Sequence, residues 1–144
     1  MIRKAEIKDL SILAELACQL WPDNTVEEMQ AEFFETIAKP DAAFFLACEE
    51  DVPVGFTQCQ LRHDYVEGTD SSPVGYLEGI YVADGSRKQG IARELLSACE
   101  NWAKEKGCTE FASDCELDNV QSLQFHLNVG FKEANRIICF TKKI

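Results

Sequence analysis

The segment Ile80-Tyr81-Val82-Ala83, followed after three residues by Arg87-Lys88-Gln89-Gly90-Ile91-Ala92, decides how this chain folds. Its apolar first part reads as the end of a strand, and its second part leads directly into a helical pattern. Ile91, Leu95, Leu96, Cys99, Trp102 and Ala103 share one side of a helix running to about Lys106, and Gly107 is placed to end it in a left-handed cap. A strand, loop and helix in this order present the free N–H groups of a helix start to whatever lies in front of it. Those groups and the aligned peptide dipoles, worth roughly half a positive charge, suit a phosphate. Arg87, Lys88 and Arg93 add cations with no acid between Ser86 and Arg93, while Gly90 and Ala92 keep the approach open. A P-loop needs Gly-Lys-Ser or Gly-Lys-Thr here and a dinucleotide fingerprint needs three spaced glycines; the segment has neither.

Working outward, Ile2 to Ala5 forms a first strand, and Asp9 can cap a helix with Leu10, Leu13, Leu16, Ala17 and Leu20 at helical spacing. Thr25 with Glu28 is a capping-box signature for a second helix that buries Met29, Phe33 and Ile37 and stops at Lys39-Pro40. Ala43 to Cys48 and Val54 to Arg62 are β-forming runs joined by Glu50-Asp51-Val52-Pro53, which suits a hairpin. After a polar loop from His63 to Pro73, a strand runs from about Val74 to Ala83, with Gly79 marking a bulge or a close backbone approach. Glu110 to Asp114 reads as a short strand, and Asp118 or Asn119 starts a helix that ends near Gly130. Arg136 to Lys142 is expected to complete the sheet. This order implies an α/β fold of three layers: a mixed, largely antiparallel sheet with helices on both faces. At 144 residues the whole chain, 1–144, is expected to form one domain.

With 46% hydrophobic and 27% charged residues and no long apolar run, the composition is that of a globular protein, and from Met1-Ile2-Arg3-Lys4 no cleavable leader is expected. A cytoplasmic location follows as the expectation. The net charge of −11 argues against nucleic acid and anionic membranes and permits a cationic partner. Seven cysteines without a Cys-x-x-Cys pair read as reduced thiols. A zinc site or catalytic cysteine is poorly supported because neither His63 nor His126 stands at ligand spacing to a thiol, so no metal is expected.

The anion loop, its flanking strand and helix, Asp114 on a following strand, Asn119 at a helix start and Gly130-Phe131 closing that helix together resemble the GCN5-related N-acetyltransferases over nearly the full chain. The resemblance implies that backbone amides of Arg87, Lys88, Gln89, Gly90, Ile91 and Ala92 hold the pyrophosphate of acetyl-coenzyme A. Backbone groups of Ile80 and Val82 would line its pantetheine and acetyl group, and Asn119 would add a side-chain contact. Where this family often has a tyrosine that protonates the departing thiolate, four residues before Gly130, the chain has His126. An imidazole can donate that proton near neutral pH, although a helix histidine satisfied in the core is an equal reading.

Three segments narrow the resemblance: Gln19-Leu20-Trp21-Pro22, Arg62-His63-Asp64-Tyr65-Val66 leading to Asp70-Ser71-Ser72-Pro73-Val74, and Leu77-Glu78-Gly79-Ile80-Tyr81-Val82. Together they are similar to the aminoglycoside 6'-N-acetyltransferases, whose polycationic acceptors match the chain's acidity. In that chemistry the amine attacks the thioester directly. The backbone N–H of Ile80 is the candidate for polarising the thioester oxygen. Glu78 is the first candidate for the base and Asp114 the alternative, and either could instead hold other ammonium groups. Trp21, Tyr65 and Asp70 are weaker candidates for the acceptor pocket, Trp21 being equally suited to the core. Polyamines, small amines and protein N-termini remain alternative acceptors, and a non-catalytic acyl-coenzyme A sensor is the reading from another class. The resemblance also implies a homodimer, assembled through C-terminal strands.

Overall fold

In the computed structural model, which describes residues 1–144, the strand β2 (Ala42–Glu49) separates two hydrophobic cores by the alternation of its side chains. Phe44 and Leu46 join Leu13, Ala17, Met29, Phe33 and Phe56 on one face. Ala43 packs with Leu96, Cys99 and Trp102, and Ala47 with Leu95, on the other. The first face is filled by large rings, Phe33 and Phe44 lying 4.8 Å apart. The second offers Ala43 and Ala47 on either side of a half-buried Phe45, so the leucines and tryptophan of a helix settle over the two alanines and against that ring.

The remaining strands are β1 (Ile2–Lys4), β3 (Val52–Arg62), β4 (Val74–Val82) and β5 (Phe111–Ala112), and the sheet runs in chain order. Its first four strands are antiparallel to their neighbours, whereas β4 and β5 are parallel. Helices α1 (Leu10–Leu20) and α2 (Val26–Ile37) cover the aromatic face, and α3 (Ile91–Glu105) covers the other. A fourth helix, α4 (Val120–Asn128), lies beside α3: its Phe125 packs on the α3 core and its Asn128 carbonyl accepts from Arg93 at 3.0 Å. The three-layer α/β expectation therefore holds. No helix is long and apolar enough to cross a membrane.

Local signals explain most element boundaries. The Glu28 N–H donates to Thr25 Oγ1 at 3.1 Å and the Thr25 N–H to Glu28 Oε1 at 3.3 Å, the reciprocal bonds of a capping box at the start of α2. Glu50 and Asp51, both at positive φ (48° and 66°), turn β2 into β3 with the backbone twist that two-residue hairpins favour.

Three expectations need correction. Asp9 does not cap α1 through its side chain; it closes a 3-10 turn, Ile7–Asp9, by accepting the Glu6 N–H at 2.8 Å, and it takes a two-pronged ion pair from Arg3 at 2.8 Å. β5 is two residues long, not five, because Ser113 and Asp114 turn out of the sheet to meet His126 and Tyr76. Arg136 to Lys142 forms no strand: Asn135 is bonded to Glu67 and Ala134 rests against Gly68, both in the loop before β4 and not on a strand edge, and the residues that follow pair with no strand, leaving Ile137, Ile138 and Phe140 70%, 81% and 87% exposed.

The Arg3 guanidinium holds the Asp9 carboxyl down at about 2, against an ordinary value of 3.8. A depressed carboxylate contributes stability that is present above its unfolded value and is lost as pH falls through the folded one. Asp9→Asn is expected to be less stable than the parent in urea denaturation at neutral pH, with the difference closing between about pH 4 and about pH 2. A constant gap down to the acid end would show that the ion pair is not its source.

Candidate active site

The pairing of β4 with β5 consists of Gly75 opposite Phe111 and Tyr76 opposite Ala112. From Leu77 to Val82, β4 keeps β3 on one side and has no strand on the other, so its backbone edge lines a gap toward Ser113, Asp114 and α4. One extra residue, Glu78, interrupts the β3–β4 register: Cys59 faces Leu77 and Gln58 faces Gly79. This bulge reverses the alternation of side chains. Leu77, Ile80 and Val82 point into the α3 side, while Tyr81 packs with the α1 and α2 core and Gly79 lies under Trp21. A Cβ at Gly79 would sit 2.6 Å from Trp21 Cη2, so only glycine lets the indole lie on the strand.

At the mouth of the gap, the chain passes from β4 to α3 through Lys88 at φ +64° and Gly90 at φ +82°. The N–H groups of Lys88, Gln89, Gly90, Ile91, Ala92 and Arg93 donate to no protein acceptor; the first intrahelical donor is Glu94, to Gly90 at 3.0 Å. No side chain caps this helix start, and the space a Gly90 Cβ would occupy is empty to 4 Å. Gly90 is thus required by its left-handed backbone more than by crowding. The result is an open cradle of six donors at a helix N-terminus. Of its three cations, Arg87 is turned back, its Nε donating to the Val82 carbonyl at 2.7 Å and its Nη1 pairing with Asp84 at 2.8 Å, and Arg93 reaches Asn128. Lys88 alone keeps an unpaired ammonium.

Carboxylates occupy the other end of the gap. Glu78 takes both prongs of Arg62 (Nη2 to Oε1 3.0 Å and to Oε2 3.1 Å; Nε to Oε1 3.3 Å). The same guanidinium lies flat over the Tyr76 ring, 3.4 Å from its centroid. Tyr76 donates its hydroxyl to Asp114, and burial together with that carboxylate pushes the phenol well above its ordinary value. Glu78, Arg62, Tyr76 and Asp114 therefore form one connected group. Tyr65, 76% exposed, and Asp70 remain on the loop before β4, bonded neither to Glu78 nor to Asp114.

On α4, Asn119 uses its Oδ1 to accept the Ser122 N–H at 3.0 Å, which leaves its amide nitrogen for any further contact. His126 is held at both ring nitrogens: Nδ1 is 2.7 Å from the Ser122 carbonyl and Nε2 is 2.7 Å from Ser113 Oγ. Because a carbonyl only accepts, Nδ1 carries the hydrogen, and in the neutral ring Nε2 accepts from Ser113. The histidine is thus satisfied without being core, since its ring stays half-buried between Phe125 and Phe131.

Comparison with known proteins agrees with this geometry. Residues 10–131 match the model of the acetyltransferase (GNAT) family. The chain belongs to the GNAT acetyltransferase family. It is 42% identical over 140 residues to an aminoglycoside N(6')-acetyltransferase type 1 of Stenotrophomonas maltophilia, covering 96% of this chain and 90% of that protein. It is 40% identical to another from Acinetobacter haemolyticus, covering 99% and 98%. Among solved structures, AAC(6')-Iy in complex with the bisubstrate analogue CoA-S-monomethyl-acetylneamine superposes with a TM-score of 0.95 at 38% identity, covering 100% of this chain and 98% of that one.

In this GNAT domain the structure gathers Trp21, Glu78, Ile80, Val82 and Asp114 along one gap and places the cradle at its mouth. Arg62 and Tyr76 complete the carboxylate group, Ser113 fixes the histidine, and Glu110 accepts from the Asp70 N–H at 2.9 Å and from Ser71, which anchors the exposed loop. None of these four was given a role in the site from sequence. A recess of about 280 Å³ lies elsewhere, between Lys104, Glu110, Phe111 and Phe131 at the far end of α3. No cluster of three or more His, Cys, Asp or Glu side chains is arranged to hold a metal ion.

Gly79→Ala should lift Trp21 from the strand, read as a red shift and loss of intensity in tryptophan emission relative to a Trp21→Phe control, with Trp102 unchanged in its core. Emission identical to the parent would mean that the indole does not rest on Gly79.

Proposed function

We propose that the chain transfers the acetyl group of acetyl-coenzyme A to a primary amine, specifically the 6'-amine of an aminoglycoside, by direct attack within a ternary complex. The observation that carries this reading is the row of six unsatisfied amides at the α3 start, opening onto a strand edge that leads to Trp21, Glu78 and Asp114. The cradle suits the diphosphate of the coenzyme, through the amides of residues 88–93, and Asn119 can add its free amide nitrogen. Arg87 braces the loop from the end of β4. Ile80 and Val82 offer edge backbone to an extended pantetheine arm, and the Ile80 N–H is positioned to polarise the thioester oxygen, an effect worth roughly 2–4 kcal/mol where comparable donors have been removed.

Acceptor specificity rests on charge. An overall charge of −11 and the cleft carboxylates Glu78 and Asp114 favour a polycation, and the names of the relatives point to the same acceptor class. Glu78, on the bulge, removes the amine proton through water, and Asp114 holds another ammonium group of the acceptor. His126, as the imidazolium with hydrogens on both ring nitrogens, gives the Nε2 proton to the departing thiolate and is left as the neutral ring that accepts from Ser113. Trp21 forms the wall of the acceptor pocket, whereas Tyr65 and Asp70 are held to Gly68 and Glu110 on the exposed loop and make no contact with it.

The reading includes a cytoplasmic enzyme and a homodimer. The exposed Ile137, Ile138 and Phe140 suit strand addition to a second copy.

The test is release of free coenzyme A with aminoglycosides, polyamines and peptide amines offered in turn. Turnover is expected with 6'-amino aminoglycosides and not with analogues lacking that amine; turnover confined to the other amines would overturn the acceptor, and coenzyme binding without any turnover would leave a sensor. Glu78→Gln is expected to reduce aminoglycoside turnover by about 10²-fold or more while coenzyme affinity stays at the parental level. Parental steady-state kinetics would remove Glu78 from the mechanism. His126→Ala should slow the chemical step roughly 10²-fold or less, and a parental rate and pH–rate profile would assign the ring to packing.

A further inference from the structure

We propose that Arg62 is a positioning residue that offsets the charge of Glu78, so that the acceptor's reacting amine can lose its proton inside an acidic cleft. The inference rests on the reading of Glu78 given above. Amine attack needs a neutral nucleophile, yet a carboxylate next to an ammonium favours the charged form. A site built only of Glu78 and Asp114 would hold a polycation tightly and keep its reacting nitrogen protonated. Arg62 answers this conflict by adding one fixed cation at one of the two carboxylates.

Its geometry is that of a fixed group. The fork onto both oxygens of Glu78 spans 3.0 to 3.3 Å, and the guanidinium plane is backed by the Tyr76 ring at 3.4 Å. A planar, delocalised cation can satisfy fork and stack together, which an ammonium cannot. Tyr76 is fixed in turn by its bond to Asp114. The groups facing Glu78 are thus Arg62 from β3, Tyr76 from its own strand with Asp114 behind it, and, over the neighbouring Gly79, the uncharged Trp21 that follows α1. The Arg62 side chain is 43% exposed and that of Glu78 21%, so the pair is screened but not dissolved in solvent.

Removing the cation should therefore exchange reactivity for affinity. In Arg62→Gln, KM for the aminoglycoside is expected to fall several-fold, kcat at neutral pH to fall about tenfold, and the ascending limb of the kcat–pH profile to move up by about one pH unit. Coenzyme affinity by calorimetry should stay at the parental value. Arg62→Lys retains the charge without fork or stack and should bring the limb part of the way back. In Glu78→Gln, where the cation stands uncompensated, the limb should lie below the parental position, and adding Arg62→Gln should move it back up.

An unmoved limb in a folded, coenzyme-binding Arg62→Gln would overturn the proposal, as would a raised KM with the parental pH profile, which would make Arg62 a direct acceptor contact. Should the glutamine variant fail to fold, the lysine variant decides by the same limb: a position displaced from the parent supports the proposal, and coincidence with it does not. Parental kinetics in Glu78→Gln would instead sink the underlying reading of Glu78, so the two failures are distinguishable.

Discussion

Parallel pairing between β4 and β5 survives for two residues, and the cleft is the consequence. A strand that loses its neighbour exposes a row of backbone donors and acceptors, which is tolerated only where solvent or a ligand satisfies them. Here the separation coincides with a bulge at Glu78, which inverts the alternation of β4 so that Gly79 lies under Trp21 while Ile80 and Val82 stay anchored to the α3 core. The edge is thus held rigid from below while it stays open at the side. The same strand delivers the chain to the α3 start, so edge and cradle are fixed relative to one another by a single element.

Electrostatics divides the cleft into two ends of opposite sign. The chain as a whole is strongly acidic, but exposed charges beyond about 8 Å are largely screened at physiological ionic strength. What an incoming group meets is local: unpaired amides and Lys88 at one end, Glu78 and Asp114 at the other. An anion and a polycation can therefore occupy neighbouring positions without competing. Arg62 tempers the acidic end and, through Tyr76, ties its two carboxylates into one unit.

Much of this was legible in the sequence wherever the determining interaction is local. The Thr25–Glu28 box and the strand-to-helix passage through Gly90 depend on residues a few positions apart and formed as expected; the hairpin expected over Glu50-Asp51-Val52-Pro53 also formed, with Glu50 and Asp51 alone in the turn and Val52 and Pro53 in β3. Gly79 signalled a bulge, which falls one residue earlier at Glu78. Arg62 with Glu78, Tyr76 with Asp114 and Ser113 with His126 are separated by 16, 38 and 13 residues, and nothing in spacing announces such pairs. Arg87 shows the opposite failure. Its amide was expected at the diphosphate and its charge beside it, whereas the amide donates to the Asp84 carbonyl at 3.4 Å and the guanidinium is turned to the Val82 carbonyl and the Asp84 carboxylate. Asp9 was correctly placed at a helix entrance, but its long-range partner Arg3 changed its task. The C-terminal apolar pattern is strand-like in composition, yet a strand needs an edge to pair with, and the contacts at Ala134 and Asn135 are to loop residues, Gly68 and Glu67.

The six unpaired amides also tie the lifetime of the folded chain to its supply of ligand. A helix end that lacks caps is a weak point of the free protein, and any anion that fills it while ignoring the unfolded chain adds RT ln(1 + [L]/Kd), about 2.7 kcal/mol at a hundredfold excess over Kd. A gain of that size lowers the unfolded fraction about a hundredfold, and with it exposure to proteases and aggregation. Abundance of the protein in a growing cell would thereby follow the size of its coenzyme pool, through thermodynamics alone and without any dedicated regulator.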